Sequence, residues 1–495
     1  MGLKVDSSFL KFVTMGALGT RRVHELMTHA GLQPIELERY SRSNKIWSTK
    51  VKRLRLPDLL CVRTGLRVEV RAKSKFAIKM SDAENNPDRR WNTGLADRDM
   101  IAFVQIRELP DGRMVAADRA ELFWVEDLRT TEAQSRLGPA KSASEGAEKD
   151  REWLSTVAGQ NGVVEAVNQD RFTALLESGR RQTYQLKGKT LYFAVGDAFV
   201  AHSQFLAGIP RAKAAFPNAK EIQWNPRALL NAESAVDRYV AIKALGIVGK
   251  KSDVQAITEI AERDVEGRVK LEAAVTLVRL GQVRGIELLC DAIQNPTIDY
   301  LRMEALLALA EFRGAALAAE CARLLVETAR NDALRGDEAR QAAIWGLGKD
   351  GLGAYRELMN FLDVESDEEL VHAICAFGSD VGAELADALI AIIVDANSSP
   401  RRRASASFIL ARTIPPEIAA PRLVALSNNV PVEATNWILA TLGQMSPTAV
   451  APYVTDANLA ARLAPLHLTS PETNWTRSER LVDLLSFVRK QTVVP

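Results

Sequence analysis

The stretch GRVKLEAAVTLVRLG at residues 267–281 decides the fold of most of this chain. Its apolar residues recur at helical spacing, Ala273 is small enough to let a second helix approach, and Gly281 stands where such a helix would end. The pattern returns as DRYVAIKALGIVG at 237–249, YLRMEALLALAEFRG at 300–314, EARQAAIWGLGKDG at 338–351, LVHAICAFGSDVG at 370–382, RRRASASFILART at 401–413 and EATNWILATLGQM at 433–445. The reference alanines are Ala241, Ala273, Ala305, Ala343, Ala373, Ala404 and Ala434, separated by 32, 32, 38, 30, 31 and 30 residues. Between these anchors lie further amphipathic stretches, such as VQAITEIAER at 254–263 and GIELLCDAIQ at 285–294. Each unit therefore reads as two antiparallel helices. One pair cannot bury its apolar face alone, so neighbours stack, and a superhelix with a long concave surface for a partner is the expected result.

The spacing Asp299/Arg302/Ala305, repeated as Asp337/Arg340/Ala343, resembles the short HEAT repeats of the phycobilisome-lyase type. This resemblance covers about 210 residues and implies a fold rather than an activity. Cations recur three residues before the reference alanine at Arg238, Lys270, Arg302, Arg340 and Arg401, with Leu370 breaking the series. Such a ladder could track a phosphate backbone, but bonding to a neighbouring Asp or helix end is the preferred reading.

The whole chain has 495 residues, of which 47% are hydrophobic and 25% charged, a composition that calls for several cores. Cys61, Cys290, Cys321 and Cys375 are far apart and form no CxxC pair, which points to a reduced, cytoplasmic setting without a zinc site. No run approaches the roughly 18 apolar residues of a membrane span. The net charge of +2 conceals an asymmetry: residues 39–79 hold thirteen Lys/Arg against Asp58 and Glu69, a local +11 that leaves −9 for the rest. A field of that sign attracts polyanions, nucleic acid above all and DNA before RNA. Lys50, Lys52, Arg53, Arg55, Lys75 and Lys79 are the candidate phosphate contacts.

Around this basic segment the pattern is helix, strand, strand, strand, loop or helix, strand. TRRVHELMTHAGL at 20–32 precedes QPIELERY at 33–40, then LPDLLCVRT at 56–64 and LRVEVRAKSK at 66–75 form a hairpin at Gly65, and MIAFVQIREL at 100–109 closes the unit. Alternation puts Glu69, Arg71, Lys73 and Lys75 on one strand face. Two carboxylates from adjacent strands suit Mg²⁺, which takes one or two and completes its shell with water and phosphate oxygens.

Pro57-Asp58 followed by Glu69-Val70-Arg71 resembles the signature of the PD-(D/E)XK nuclease superfamily. The resemblance implies an α/β restriction-endonuclease-like domain, Mg²⁺ or Mn²⁺ held by Asp58 and Glu69, and help from an acid on the preceding helix, for which Glu25 is the candidate. Arg71 occupies the position of the family's lysine and cannot take a proton from water, since guanidinium stays protonated; Lys73, on the same face, could substitute. His24 and His29, five residues apart, do not make a ligand pair.

Residues 131–152 are polar and small and read as a linker, and the short strand-like runs at 153–208, separated by turns such as Asn161-Gly162, suggest a small all-β barrel. Tyr184, Tyr192 and Phe193 there could stack on bases or fill the core, the latter being preferred. The expected architecture is multidomain: a nuclease-like domain at 1–130, the linker, the barrel at 153–208, a HEAT-type solenoid at 209–445 and a helical cap at 446–495. The expected function is a metal-dependent endonuclease whose solenoid positions a target or protein partner, an architecture that resembles bacterial restriction and anti-phage effectors. The alternatives are a nucleic-acid binder without catalysis and a pure interaction scaffold.

Overall fold

A computed structural model describes residues 7–37, 54–109, 114–140, 148–210, 213–220, 222–297, 299–312, 317–348, 355–377 and 382–467. The N-terminal part opens with a long helix, α1 (Ser7–His29), followed by β1 (Pro34–Glu36), β2 (Leu59–Cys61), β3 (Arg67–Lys73), β4 (Lys79–Asp82), β5 (Met100–Glu108), β6 (Met114–Ala116) and β7 (Glu121–Trp124). The main sheet runs β1-β2-β3-β5-β6, with β7 also pairing β5. Strands β1, β2 and β3 are antiparallel neighbours, while β3 and β5 run parallel, so this is the mixed sheet fed by a helix that the sequence implied. The β2–β3 turn needs Gly65: its φ is +71°, and a Cβ there would lie 2.6 Å from the Trp224 ring.

A short helix, α2 (Val125–Thr130), leads into β8 (Arg136–Ala140) and β9 (Lys149–Glu152). Residues 131–152 are thus not a linker among the described residues. Strand β9 pairs with both β4 and β8, and Arg151, 6% exposed, donates from Nε to the fully buried Asp82 at 2.5 Å. Polar composition misled here because the charges serve an internal ion-pair network that also includes Glu84 and Glu132.

Next come β10 (Gly162–Val167), β11 (Arg171–Leu176), β12 (Arg181–Gln185), β13 (Thr190–Leu191), β14 (Ala198–Phe199) and β15 (Ala207–Gly208). They do not close into the expected barrel. An open four-stranded sheet, β12-β11-β10-β14, faces a separate β13–β15 pair. Strands β13, β14 and β15 have two residues each, too few to carry a ladder around a barrel. Tyr184 stacks on Phe172, with centroids 5.0 Å apart, and Phe193 meets Phe199 edge-on, so these aromatics serve the core.

The rest of the described chain is helical: α3 (Ala235–Val248), α4 (Val254–Arg263), α5 (Gly267–Arg279), α6 (Val283–Gln294), α7 (Asp299–Leu309), α8 (Ala318–Arg330), α9 (Glu338–Leu347), α10 (Tyr355–Leu358), α11 (Asp367–Ala376), α12 (Ala383–Val394), α13 (Pro400–Arg412), α14 (Pro416–Leu426), α15 (Val432–Gly443), α16 (Pro447–Val450) and α17 (Ala457–His467). All seven sequence anchors are the odd-numbered helices α3 to α15. They form an inner layer, and the even-numbered helices, apolar on one face only, cover it.

The inner helices α5 and α9 are buried on every side along their middles: Leu271–Val278 and Ala339–Gly348 are unbroken buried runs. Charged residues inside this layer are rungs between repeats. Lys243 reaches Glu272 and Glu311 at 3.8 and 3.6 Å, Arg268 reaches Glu304 at 3.5 Å, and Arg340 reaches Glu369 at 3.6 Å. The periodic cations follow the local reading as well. Arg238 forms a two-pronged pair with Asp264 at 2.7 and 2.8 Å, and Arg302 donates to the Ile293 carbonyl at 2.9 Å.

His372 on α11 is buried within the same layer, and burial pushes its imidazole down to about 4 from 6.5. Above pH 6.5 the ring is neutral whether the chain is folded or not. As pH falls from 6.5 towards 4 the unfolded chain takes up the proton first, so stability is lost across that window, by about 3 kcal/mol in all. Urea unfolding at pH 7 and pH 4.5 should show this loss in the wild type and a smaller one in His372→Leu; equal losses would contradict it.

The N-terminal sheet and the solenoid share a core. Ile35, Leu37, Leu60 and Val62 pack with Tyr239, Val240, Leu245 and Val269. The Arg268 guanidinium donates to the Leu54 carbonyl at 2.7 Å, and the Tyr239 hydroxyl lies 3.2 Å from the Leu37 carbonyl. The sheet thereby covers the first two inner helices, and the sequence, read domain by domain, gave no sign of it.

Candidate active site

Strands β2 and β3 pair Leu59 with Val68 and Leu60 with Arg67, and Asp58 is the residue just before β2. Its carboxylate is tied to β3, because its Oδ2 accepts the Val70 backbone N–H at 2.7 Å. Glu69, Arg71 and Lys73 alternate with Val68, Val70 and Ala72 along β3, so the polar three share one face of that strand.

The apolar three face α1. A Cβ on Gly19 would meet the Ala72 Cβ at 3.0 Å and Val70 Cγ1 at 3.4 Å, which is why a glycine stands at that crossing. On the polar face, Glu69 neighbours Ile101 and Arg71 neighbours Phe103 across the parallel β3–β5 ladder. Both apolar residues are fully buried in a cluster with Phe76, Phe123, Trp153 and Phe205. At the other end of the face, Leu60 and Arg67 are covered by the solenoid. Glu69 therefore lies between an aromatic core and the first inner helices. Glu69 keeps 15% side-chain exposure and Arg71 31%, and Arg71 Nη1 lies 2.9 Å from Glu69 Oε1.

The other sequence candidates separate into groups. Glu25 is on α1, paired with Arg21 and Arg22 at 3.2 Å each, and is not among the residues the β2–β3 register brings together. Arg55 and Lys75 are exposed. Lys79 is bound to Asp150 at 2.8 Å across β4–β9, a structural use rather than a free phosphate contact. Lys50, Lys52 and Arg53 lie outside the described residues. Among the described residues no cluster of three or more His, Cys, Asp or Glu could hold a metal ion.

The sequence reading passed over Arg67. Its side chain is 3% exposed and bonds Asp99 Oδ1 just before β5 and Asp237 Oδ1 in the first turn of α3, both at 2.7 Å. Burial raises the Asp99 carboxyl above its usual value, against the pull of Arg67. The joint binds the base of β3 to the solenoid. Within so basic a segment, nothing in the order of residues distinguishes a buried arginine from its exposed neighbours.

No curated protein matches the chain. Among solved structures, it is similar to YibA of Escherichia coli, at 13% identity over 49% of this chain and 92% of that one with a TM-score of 0.27. It is also similar to the CpcE–CpcF complex of phycocyanin lyase from Nostoc, at 19% identity over 51% and 98% with a TM-score of 0.24. Human deoxyhypusine hydroxylase in complex with glycerol follows, at 18% identity over 54% and 94% with a TM-score of 0.21. Among the described residues no helix is long and apolar enough to cross a membrane. Residues 227–310, which span α3 to α7, match the family described as HEAT repeats.

Proposed function

We propose that the chain is a HEAT-repeat scaffold whose N-terminal sheet cleaves nucleic-acid phosphodiester bonds with a divalent metal ion, while the solenoid orients that sheet towards a target or protein partner. The observation that supports this reading is the bond from the Val70 N–H of β3 to Asp58 Oδ2 at 2.7 Å, which holds Asp58 beside the strand that carries Glu69, Arg71 and Lys73. Asp58 and Glu69 would hold Mg²⁺ or Mn²⁺, whose chemistry when bound is to polarise a phosphoryl oxygen. Arg71 and Lys73 bind the phosphate and offset charge developing on it. Arg71 cannot act as a base, so Lys73 is the nearer candidate for moving a proton on this face.

The test is purified chain with Mg²⁺, Mn²⁺ or EDTA on single- and double-stranded DNA and RNA. Strand scission that requires the metal and vanishes with EDTA is the expected result. Binding should also weaken linearly on a log–log plot against salt. Binding without scission under every condition would favour a second reading, a nucleic-acid grip without chemistry. The Glu69–Arg71 contact at 2.9 Å is the specific observation behind that alternative, because it already occupies one carboxylate oxygen.

A further inference from the structure

The first part of the solenoid's inner layer is closed: α5, α7 and α9 are buried around their middles, and the N-terminal sheet covers α3 and α5. Open surface is left on the outer layer, and there α6 and α8 part to leave a cavity of about 550 Å³. Gly285 helps set the floor by letting α6 lie against α5, since a Cβ there would come within 2.5 Å of the Ala274 carbonyl oxygen and 2.7 Å of the Val278 nitrogen. The floor is Ile286, Cys290 and Leu317; the rim carries Glu287, Asp291 and Glu320, with no base among the described lining residues. Arg284 and Arg323 neutralise Glu287 and Glu320 from outside the groove, whereas exposed Asp291 accepts from the neutral Asn295 amide at 3.0 Å. Val283, 59% exposed, extends the apolar strip to the groove's mouth.

We infer that this α6–α8 groove is the docking site for a peptide segment of a protein partner, one bearing an apolar side chain flanked by Lys or Arg. Charge complementarity chooses the occupant. An apolar floor takes up the side chain, and Asp291 on the rim, held by the neutral Asn295 amide, favours cationic flanks and repels acidic ones. Anchoring by an apolar side chain within a charged rim is also how partner surfaces concentrate their binding energy.

Cys290 provides the readout, because it is half-buried in the groove while Cys61 and Cys321 are buried. The full-length protein is mixed with a synthetic amphipathic Leu/Lys peptide, or its Leu/Glu counterpart, and alkylation of Cys290 is followed by mass spectrometry. At about ten times its dissociation constant, the Leu/Lys peptide is expected to slow Cys290 alkylation about tenfold, and the Leu/Glu peptide to leave it unchanged. The variant Val283→Lys/Asp291→Lys, both positions exposed, should abolish protection, whereas Glu384→Lys on the far outer helix α12 should retain it. Equal thermal melting of the variants excludes misfolding. Unchanged alkylation with the Leu/Lys peptide, protection by both peptides, or loss of protection in Glu384→Lys would each overturn the proposal.

Discussion

Asp58→Asn and Glu69→Gln are each expected to lower metal-dependent cleavage by about 100-fold or more while nucleic acid still binds. The estimate follows from the several kcal/mol that a metal ion contributes to a charged transition state, with a tenfold change for every 1.36 kcal/mol. Asparagine is the cleaner substitution at position 58 because its amide oxygen can still accept the Val70 N–H that Asp58 Oδ2 accepts at 2.7 Å; alanine would forfeit that bond and about 1 kcal/mol of stability with it. Because both carboxylates would serve one ion, the double variant should cut no more slowly than the worse single one, a non-additivity that independent roles would not produce. Single-turnover cleavage rates beside binding curves decide the matter. Variants that cut at the wild-type rate would refute the assignment.

Arg67→Met is expected to destabilise the protein by about 3–5 kcal/mol, because it leaves the fully buried Asp99 without its cation and removes the bond to Asp237. The pH dependence carries a distinct sign. Asp99 titrates above its ordinary 3.8 in the folded chain, mainly through burial, so the folded state holds a proton there that the unfolded state has released. Stability therefore falls as pH rises through the interval between the two values. Without Arg67, which pulls the carboxyl down, that interval widens and the fall becomes larger. Chemical denaturation at pH 5 and pH 8 should show a greater loss in Arg67→Met than in the wild type, and Arg67→Met/Asp99→Leu should remove the difference. A variant as stable as the wild type at both pH values would show that the joint contributes nothing.

The repeats were legible because each anchor must solve the same packing problem, so apolar spacing, a small residue and a helix stop recur about every 31 residues. The structure places a helix at all seven anchors, and α4 spans Val254–Arg263, the stretch read as amphipathic. The β2–β3 hairpin was legible from Gly65 and from alternation, and the structure pairs Leu59 with Val68 and Leu60 with Arg67 across it. What escaped was long-range. Arg151 looks like part of a solvated linker until Asp82, 69 residues away, is seen to need it. Arg67 looks like one more basic residue until Asp237 arrives from a helix 170 positions on. The barrel failed for a different reason: turn signals mark where strands end, whereas closure depends on strand length and register, and β13, β14 and β15 are too short to supply either. The covering of α3 and α5 by the N-terminal sheet was likewise not legible, because a contact between distant segments leaves no period in either sequence.

The most direct measurement is metal binding itself, independent of any substrate. Titration of the purified chain with Mn²⁺, followed by electron paramagnetic resonance, should reveal one bound ion per chain, displaced by excess Mg²⁺ and lost in both Asp58→Asn and Glu69→Gln. A chain that binds no Mn²⁺, or that holds it equally well with either carboxylate replaced, would contradict a shared metal site on the β2–β3 face.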